Sequence, residues 1–303
     1  MRSIVIDVYG ADAGVAPIVQ GTIKALKESP DFRAIFVGDS EAVRPLLEEA
    51  AIDPALYELV HTDGFIPNDA PPTAVFGGND DASMVMAYDR LKTDDNCMAM
   101  LSAGNTGALL VGSICRLGLI KGMKFPALSS ALPCMADHLV CLVDCGGNME
   151  APRVGLLSVG REDQKGNALT KETFARLKEL PLNFIGNVEG YDLITGDADV
   201  IVSDGFAGNL ILKCAESAGK AAMAIAASFG ESDESKALIA RINRRLFEVF
   251  DYNSQGGATF LGTKKTVVKM HGGANDETAY ACIKQIMRLH RGGYAEAIGA
   301  LEL

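Results

Sequence analysis

The residues best suited to chemistry lie in five short loops that are rich in glycine and asparagine. Each loop follows a run of apolar residues that is typical of a β-strand. Glycines let a backbone approach a ligand closely, and the N–H groups at the start of a helix attract anions. Together the loops cover residues 102–107, 144–148, 160–167, 186–190 and 203–209. Such loops are suited to holding a phosphate or another oxyanion.

Polar side chains in and near these loops are the candidate site residues. Asparagine side chains and loop N–H groups can bind oxygens, and lysines can neutralise a phosphate. For any one loop an ordinary turn is the simpler interpretation, and a histidine that only holds a turn is as plausible as a catalytic one. The candidates are Ser102, Gly104, Asn105, Thr106, Asn148, Lys165, Asn187, Asp204, Gly205, Asn209, Lys213 and His271.

The elements around the loops predict where these residues meet. Short apolar runs alternate with amphipathic stretches, which indicates a doubly wound α/β fold with a mostly parallel sheet and helices on both faces. The carboxyl ends of such strands converge on a ligand crevice. We expect a single catalytic domain over residues 1–303, with a helical protrusion near residues 215–250. The predicted strands are Ile4–Val8, Ala34–Val37, Cys97–Leu101, Leu139–Val143, Val154–Val159, Asn183–Ile185 and Val200–Val202.

One junction does not fit this pattern. Only about ten residues separate the strands Leu139–Val143 and Val154–Val159, whereas a parallel crossover needs a dozen or more. Either the two strands pair antiparallel, or a segment between Asn148 and Pro152 is missing, by omission or by deletion. We favour a missing segment.

Composition and charge exclude several classes of protein. The net charge of −11 argues against a nucleic-acid partner, which requires a clustered basic surface. Neither GxxxxGK[ST] nor GxGxxG occurs, and no Cys/His/Asp spacing suits a metal, so we expect no cofactor and no metal. The seven cysteines form no CxxC pair, which favours a reducing, cytoplasmic location. The uncharged residues 97–115 contain polar and glycine residues in their middle, and we interpret them as a strand, a loop and a helix start rather than a membrane span.

At these loops the chain resembles the bacterial phosphate acyltransferase family. The blocks SAGNTGALL, PRVGLLSVG, FIGNVEG, ADVIVSDGFAGNLILK, QGGATFLG and KMHGGAN follow one another in the family's order between Ser102 and Asn275. The opening DVYGAD at residues 7–12 is similar to the family's DAMGGD. Two departures stand out. Residues 76–81 replace a basic stretch, and only Met149–Ala151 stand where the family carries a helix-bearing segment.

The resemblance implies transfer of a long acyl chain from acyl carrier protein to inorganic phosphate, for phospholipid biosynthesis. Phosphate is itself the nucleophile, so no protein nucleophile is needed. We expect phosphate to be held by Ser102, Asn105, Thr106 and Lys213. We expect the carbonyl and the oxyanion to be bound by Asn187, Asn209 and Lys165. His271 would then protonate the thiolate, and Asp204 would orient a donor.

The resemblance also implies partners. It implies a homodimer, peripheral association with the membrane and delivery of the product to a glycerol-3-phosphate acyltransferase. The helix Ala237–Phe250 carries Arg241, Arg244 and Arg245 beside apolar residues. It could dock carrier protein, touch the membrane interface or pack in a dimer, and an ordinary surface helix is equally compatible with its pattern.

Three other functions stay open at this stage. A phosphotransacetylase-like enzyme would use acyl-CoA on a related fold. A metal- and NAD-dependent decarboxylating dehydrogenase would need clustered Asp ligands, which the sequence does not offer. A catalytically silent scaffold at the membrane is the third.

Overall fold

The computed structural model describes residues 1–136, 138–143, 152–251 and 255–300. Within them the chain forms two compact units, one of Met1–Ala127 with residues 255–300, the other of residues 128–251. The expectation of one catalytic domain with a helical protrusion stays a prediction.

Strands and helices alternate through most of the chain. The strands are β1 (Arg2–Asp7), β2 (Phe32–Gly38), β3 (Tyr57–His61), β4 (Cys97–Ser102), β5 (Ala127–Pro133), β6 (Leu139–Val143), β7 (Arg153–Leu157), β8 (Asn183–Val188), β9 (Val200–Val202), β10 (Ala258–Leu261) and β11 (Thr266–Lys269). The helices are α1 (Ala16–Glu28), α2 (Ser40–Glu49), α3 (Ser83–Thr93), α4 (Thr106–Gly112), α5 (Ala168–Glu179), α6 (Gly190–Thr195), α7 (Gly205–Ala227), α8 (Asp233–Phe250), α9 (Asp276–Arg291) and α10 (Tyr294–Gly299). This is the predicted α/β class with a mostly parallel sheet.

The first unit is built on six strands in the order β3-β2-β1-β4-β11-β10. All neighbours are parallel except β10 and β11, which are antiparallel. Ile4, Ile6, Leu101 and Val268 are completely buried and form the middle of the core. Because β1 and β4 are covered on both faces, they read as continuous apolar runs in the sequence.

The second unit carries five strands in the order β5-β6-β9-β7-β8. The pair β5–β6 is antiparallel and the other pairs are parallel. Val140, Leu142 and Ile201 are buried in its core. Helices α7 and α8 pack against each other where Gly219 lets the two helices approach, since a Cβ there would lie 2.5 Å from Phe250 Cβ.

The strands on either side of the short junction do not pair with each other. Strand β9 lies between β6 and β7 and runs parallel to both. The antiparallel alternative is therefore wrong. The junction itself, with the candidate Asn148, lies outside the described residues.

The region from residue 97 to 117 shows how the sequence translates into structure. As predicted, it forms a strand, a loop and a helix. The helix α4 ends at Gly112 and continues as one π-helical turn, Ser113–Leu117. The turn widens where the buried Tyr88 hydroxyl donates to Leu109 O, at 2.6 Å, and contacts Ser113 Oγ. No helix in the described part of the chain is long and apolar enough to cross a bilayer.

Candidate active site

In the first unit, three loops leave the same edge of the sheet, at the carboxyl ends of β1, β4 and β11. Ser102, the last residue of β4, is the register partner of Asp7 on β1 and of Lys269 on β11. Met270 N donates to Ser102 O at 2.8 Å, which extends the pairing into the loops. Ser102 thus lies at the centre of this edge.

The three loops also contact each other directly. Gly10 in the first loop packs on Gly104 in the second, since a Cβ at Gly10 would lie 2.4 Å from Gly104 Cα. Asp12 N donates to Gly272 O at 2.8 Å, which joins the first loop to the third. The structure therefore brings together the candidates Ser102, Gly104, Asn105, Thr106 and His271, as the convergence of parallel strands predicts.

A buried carboxyl group underlies these loops. Asp7 is 1% exposed and accepts hydrogen bonds from Ser83 Oγ at 2.6 Å and from Ser102 Oγ at 2.7 Å. Burial raises the pKa of Asp7 to about 6, although the two hydroxyl donors favour the ionised form. Ser102 Oγ also accepts from Gly104 N at 3.0 Å. The Ser102 hydroxyl therefore fixes the loop onto Asp7, and its predicted contact with phosphate stays a prediction.

Asn105 is also engaged in holding the loop. Its Oδ1 accepts from Ala108 N, which caps α4, and its Nδ2 donates to the main-chain oxygens of Asn68 and Ala70 at 2.9 and 2.8 Å. Both protons and one lone pair of the amide are thus used by the backbone. Asn105 therefore positions the loop, and its direct contact with phosphate stays a prediction.

Thr106 is the exposed polar side chain at this helix start. The first intrahelical bond runs from Leu109 N to Asn105 O. The N–H groups of Thr106 and Gly107 precede it and are directed out of the helix start. With the Thr106 hydroxyl, they form a set of donors that suits an oxyanion.

His271 stands in the third loop, where its ring accepts a hydrogen bond from the main chain. Its Nδ1 accepts from Gly273 N at 3.2 Å. The neutral ring therefore carries its proton on Nε2, the atom from which it could be donated.

Asp7 predicts a specific pH dependence of stability. Its folded-state pKa lies above the unfolded value, so the folded protein binds more protons between pH 4 and 6, and the free energy of unfolding falls as the pH rises through that window. A difference of about two pH units corresponds to ~3 kcal/mol. Asp7→Asn cannot ionise. As the pH rises from 4.5 to 7.5, we expect its free energy of unfolding to increase by about 2–3 kcal/mol relative to that of the wild type. Urea unfolding at the two pH values measures this, with the exposed Asp69→Asn as the control. An equal shift in both variants would contradict the prediction.

In the second unit, the candidates at the start of α7 follow β9. Asp204 caps the helix by accepting from the N–H groups of Phe206 and Ala207, each at 2.9 Å. Gly205 and the exposed Asn209 line a small cavity of about 120 Å³ together with Ser203 and Gly208. The side chain of Asp204 thus serves the helix, and its role in orienting a proton donor stays a prediction.

Lys213 lies one turn beyond Asn209 in a trio of charges. Glu216 pairs with Lys213 at 2.9 Å and with Lys220 at 2.7 Å. Burial opposes ionisation of Glu216, but the hydrogen bonds and charges of the two lysines outweigh it and lower its pKa to about 2. The trio therefore keeps a net charge of plus one at neutral pH.

Lys165 and Asn187 meet at Glu162 in the loop after β7. Asn187 Nδ2 donates to Glu162 O at 2.8 Å, and Lys165 Nζ lies 4.0 Å from a Glu162 carboxylate oxygen. Asn187 is 5% exposed, and its Oδ1 accepts no hydrogen bond from the residues described in the structure. Buried polar atoms are normally paired, so this one is set up for a further donor.

Sequence reasoning missed the residues that hold the loops, namely Asp7, Ser83 and Asn68. Asp7 was visible only as part of the DVYGAD block. Its contact with Ser83 joins residues 76 positions apart, so only the fold brings it to the site.

Comparisons with known proteins identify the relatives of this chain. A family model described as fatty acid synthesis protein matches residues 2–151 and 147–296. The chain is 36% identical to a phosphate acyltransferase of Bacillus cereus (strain B4264) and to one of Bacillus mycoides (strain KBAB4), in each case covering 93% of this chain and 92% of the relative. A crystal structure of a branched-chain phosphotransacylase from Enterococcus faecalis V583 has a TM-score of 0.56 at 17% identity and covers 95% of this chain and 98% of that one. The last likeness confirms the predicted fold class.

The comparisons also bear on the short junction. The two family matches meet at residues 147–151. Since 93% of the 303 residues is about 282, roughly 28 of the 310 aligned positions have no residue in this chain. Both observations agree with the expectation of a segment missing between Asn148 and Pro152.

Proposed function

This chain belongs to the phosphate acyltransferase family, and we propose that it transfers a long-chain acyl group from acyl carrier protein to inorganic phosphate. The product is an acyl phosphate for phospholipid biosynthesis. The observation that carries the proposal is the edge of β1, β4 and β11, where three loops contact one another and one of them carries the N–H groups at the start of α4, which suit an oxyanion.

The reaction requires positioning more than covalent help from the protein. A phosphate oxygen attacks the thioester carbonyl carbon, and the carbonyl oxygen becomes an oxyanion. The oxyanion then collapses, the C–S bond breaks and the thiolate takes up a proton. Fixing phosphate beside the carbonyl and stabilising the oxyanion supply most of the acceleration.

In the first unit we assign phosphate binding to Thr106 and the N–H groups of the α4 start. Ser102, Gly104 and Asn105 hold this loop in shape through the contacts with Asp7 and the main chain. His271 protonates the departing thiolate from Nε2, since its Nδ1 is occupied by Gly273 N.

In the second unit we assign binding of the thioester carbonyl, and of the oxyanion that forms on it, to the loops after β7, β8 and β9. Asn187, Asn209 and Lys165 bind the carbonyl and the oxyanion, and Lys213 adds positive charge for phosphate. Asp204 and Gly205 shape the start of α7 beside the cavity at Asn209.

Mass-spectrometric detection of acyl phosphate from phosphate and a thioester donor tests this function. We expect product from a long-chain acyl-carrier protein, with a kcat/KM at least ten-fold above that for the matching acyl-CoA. A preference for acyl-CoA would assign the chain to phosphotransacetylase-like chemistry instead. If neither donor gives product, the chain is a catalytically silent scaffold rather than an enzyme.

Helix α8 is our proposed dock for carrier protein. The acidic donor needs a positive surface on an acidic enzyme, and Arg241 and Arg244 are exposed on this helix. We expect Arg244→Glu to lower kcat/KM for the acyl-carrier protein about ten-fold and to leave acyl-CoA turnover unchanged. The exposed Lys171→Glu on α5 makes the same charge change as a control, and equal losses in both variants would remove the dock.

Apolar side chains of α7, of α8 and of the turn between them support the proposed homodimer and peripheral membrane association. Ile225, Phe229, Leu238 and Phe247 are between 53% and 68% exposed in the described chain. Exposed apolar patches of this kind mark contacts with proteins or with lipid. Sedimentation velocity and cosedimentation with anionic vesicles check the two assignments. A membrane-bound enzyme would deliver its product to a glycerol-3-phosphate acyltransferase.

A further inference from the structure

A second cleft opens in the first unit at the amino-terminal edge of its sheet, at the end of the strands opposite to the candidate site. Its volume is about 390 Å³, within the usual range for small-molecule sites. Arg2, Cys97 and Thr266 line it at the beginnings of β1, β4 and β11. A strand of six residues separates it from the candidate site by about 20 Å.

Positive charge dominates the polar lining of the cleft. Arg2, Lys264 and Lys265 line it together with Asp95 and Glu296, so three cationic side chains stand against two carboxylates. Lys265 Nζ lies 3.9 Å from Asp95 Oδ1, whereas Arg2 donates to the neutral main-chain oxygen of Asp95 at 2.6 Å. The cleft therefore keeps an excess of positive charge, although the chain as a whole carries −11. Such a local field attracts anions.

The lysine pair stands on a turn that is held from two sides. Lys264 N donates to Gly118 O at 3.1 Å, and Leu119 forms an antiparallel bridge with Thr263. Thr263 Oγ1 donates to Lys265 O at 2.7 Å. The two lysines are therefore presented at a fixed place rather than on a free loop.

The remaining wall is apolar. Met98 and Ala99 from β4 and Ile286 and Leu289 from α9 line it. Ala99 and Ile286 are each 1% exposed, so they form a closed floor. His290 stands beside Leu289 in the lining and adds a ring that can donate a hydrogen bond.

We propose that this cleft binds a small amphiphilic anion: an alkyl chain that ends in a phosphate or carboxylate group. The head group lies among Arg2, Lys264 and Lys265, and the alkyl chain lies against Met98 and Leu289. The site is separate from the loops to which we assign substrate phosphate.

Isothermal titration with octyl phosphate tests the proposal, with inorganic phosphate and octanol as partial ligands. We expect octyl phosphate to bind at least ten-fold more tightly than either. The double variant Lys264→Glu/Lys265→Glu should weaken this binding at least ten-fold, and Lys264→Ala, which removes one exposed charge, about three-fold. Lys171→Glu should leave the dissociation constant within two-fold.

The variant Thr106→Asp separates the cleft from the candidate site, because it places a carboxylate at the α4 start. We expect the tight octyl phosphate site to persist in it. Loss of binding in Thr106→Asp, unchanged binding in the lysine variants, or no preference over inorganic phosphate would each overturn the proposal.

Discussion

Gly10→Ala should lower kcat/KM for acyl-phosphate formation about 100-fold. Gly10 has φ +96°, a conformation that side chains rarely adopt, and its added Cβ would lie 2.4 Å from Gly104 Cα and 2.5 Å from Gly104 N. These are backbone atoms of the loop that begins α4, so the clash can be relieved only by moving one loop away from the other. Misplacing reacting groups by about 1 Å costs on the order of 100-fold in rate.

The loss should appear mainly in the KM for phosphate, because the displaced N–H groups are those assigned to it. Initial rates at varied phosphate with a saturating acyl donor measure this. Gly14→Ala is a matched control in the same loop region. Gly14 also has a positive φ, of 79°, but nothing lies within 4 Å of its added Cβ. We expect Gly14→Ala to lose some stability and less than about three-fold in rate. Equal losses in both variants would mean that backbone strain, and not the contact with Gly104, is responsible.

The sequence predicts β1, β2, β4 and β9 well but misses β3, β5, β10 and β11. β1, β2 and β4 are covered on both faces, so their sequences are nearly continuous runs of apolar residues. In contrast, β3 carries a glutamate and a histidine, β5 contains two serines and a proline, and β10 and β11 have four residues each. Their strand character comes from pairing with neighbours, which a local pattern does not show.

Long-range pairing also explains why the sequence left the antiparallel alternative open at the short junction. The insertion of β9 between β6 and β7 depends on residues about 50 positions farther along the chain. Neither apolar periodicity nor loop length carries this information, so only the number of residues in the junction could be used.

At the candidate site, the sequence predicted the loops. It could not distinguish side chains that contact a ligand from side chains that only hold a loop or cap a helix. An asparagine or aspartate before a helix can bind a ligand or cap the helix. Asn105 and Asp204 both cap, for α4 and α7. The partners of Asn105 at residues 68 and 70 come from a distant loop, which is why its engagement was not visible in the sequence.

Lys213→Ala should raise the KM for phosphate about 10- to 100-fold, with a smaller effect on kcat. Lys213 lies four residues after Asn209, so both are on the same face of α7 near its start. In the wild type the two lysines lower the pKa of Glu216 to about 2, so this carboxylate is ionised at neutral pH. With Lys213 removed, the charges of Glu216 and Lys220 offset each other, and these two side chains offer no net positive charge to a phosphate dianion.

Lys220→Ala provides the control, since it removes the same charge from the same partner. Its ammonium pairs with Glu216 at 2.7 Å, but its backbone lies about 10 Å farther along the helix axis. Both ammonium groups contact the same carboxylate, so the control separates the two lysines by their place on α7: Lys213 is one turn from Asn209, and Lys220 is three turns from it. We therefore expect less than about three-fold change in KM for Lys220→Ala. If both variants change KM equally, the effect is one of net charge. If neither changes KM, phosphate binding does not depend on Lys213.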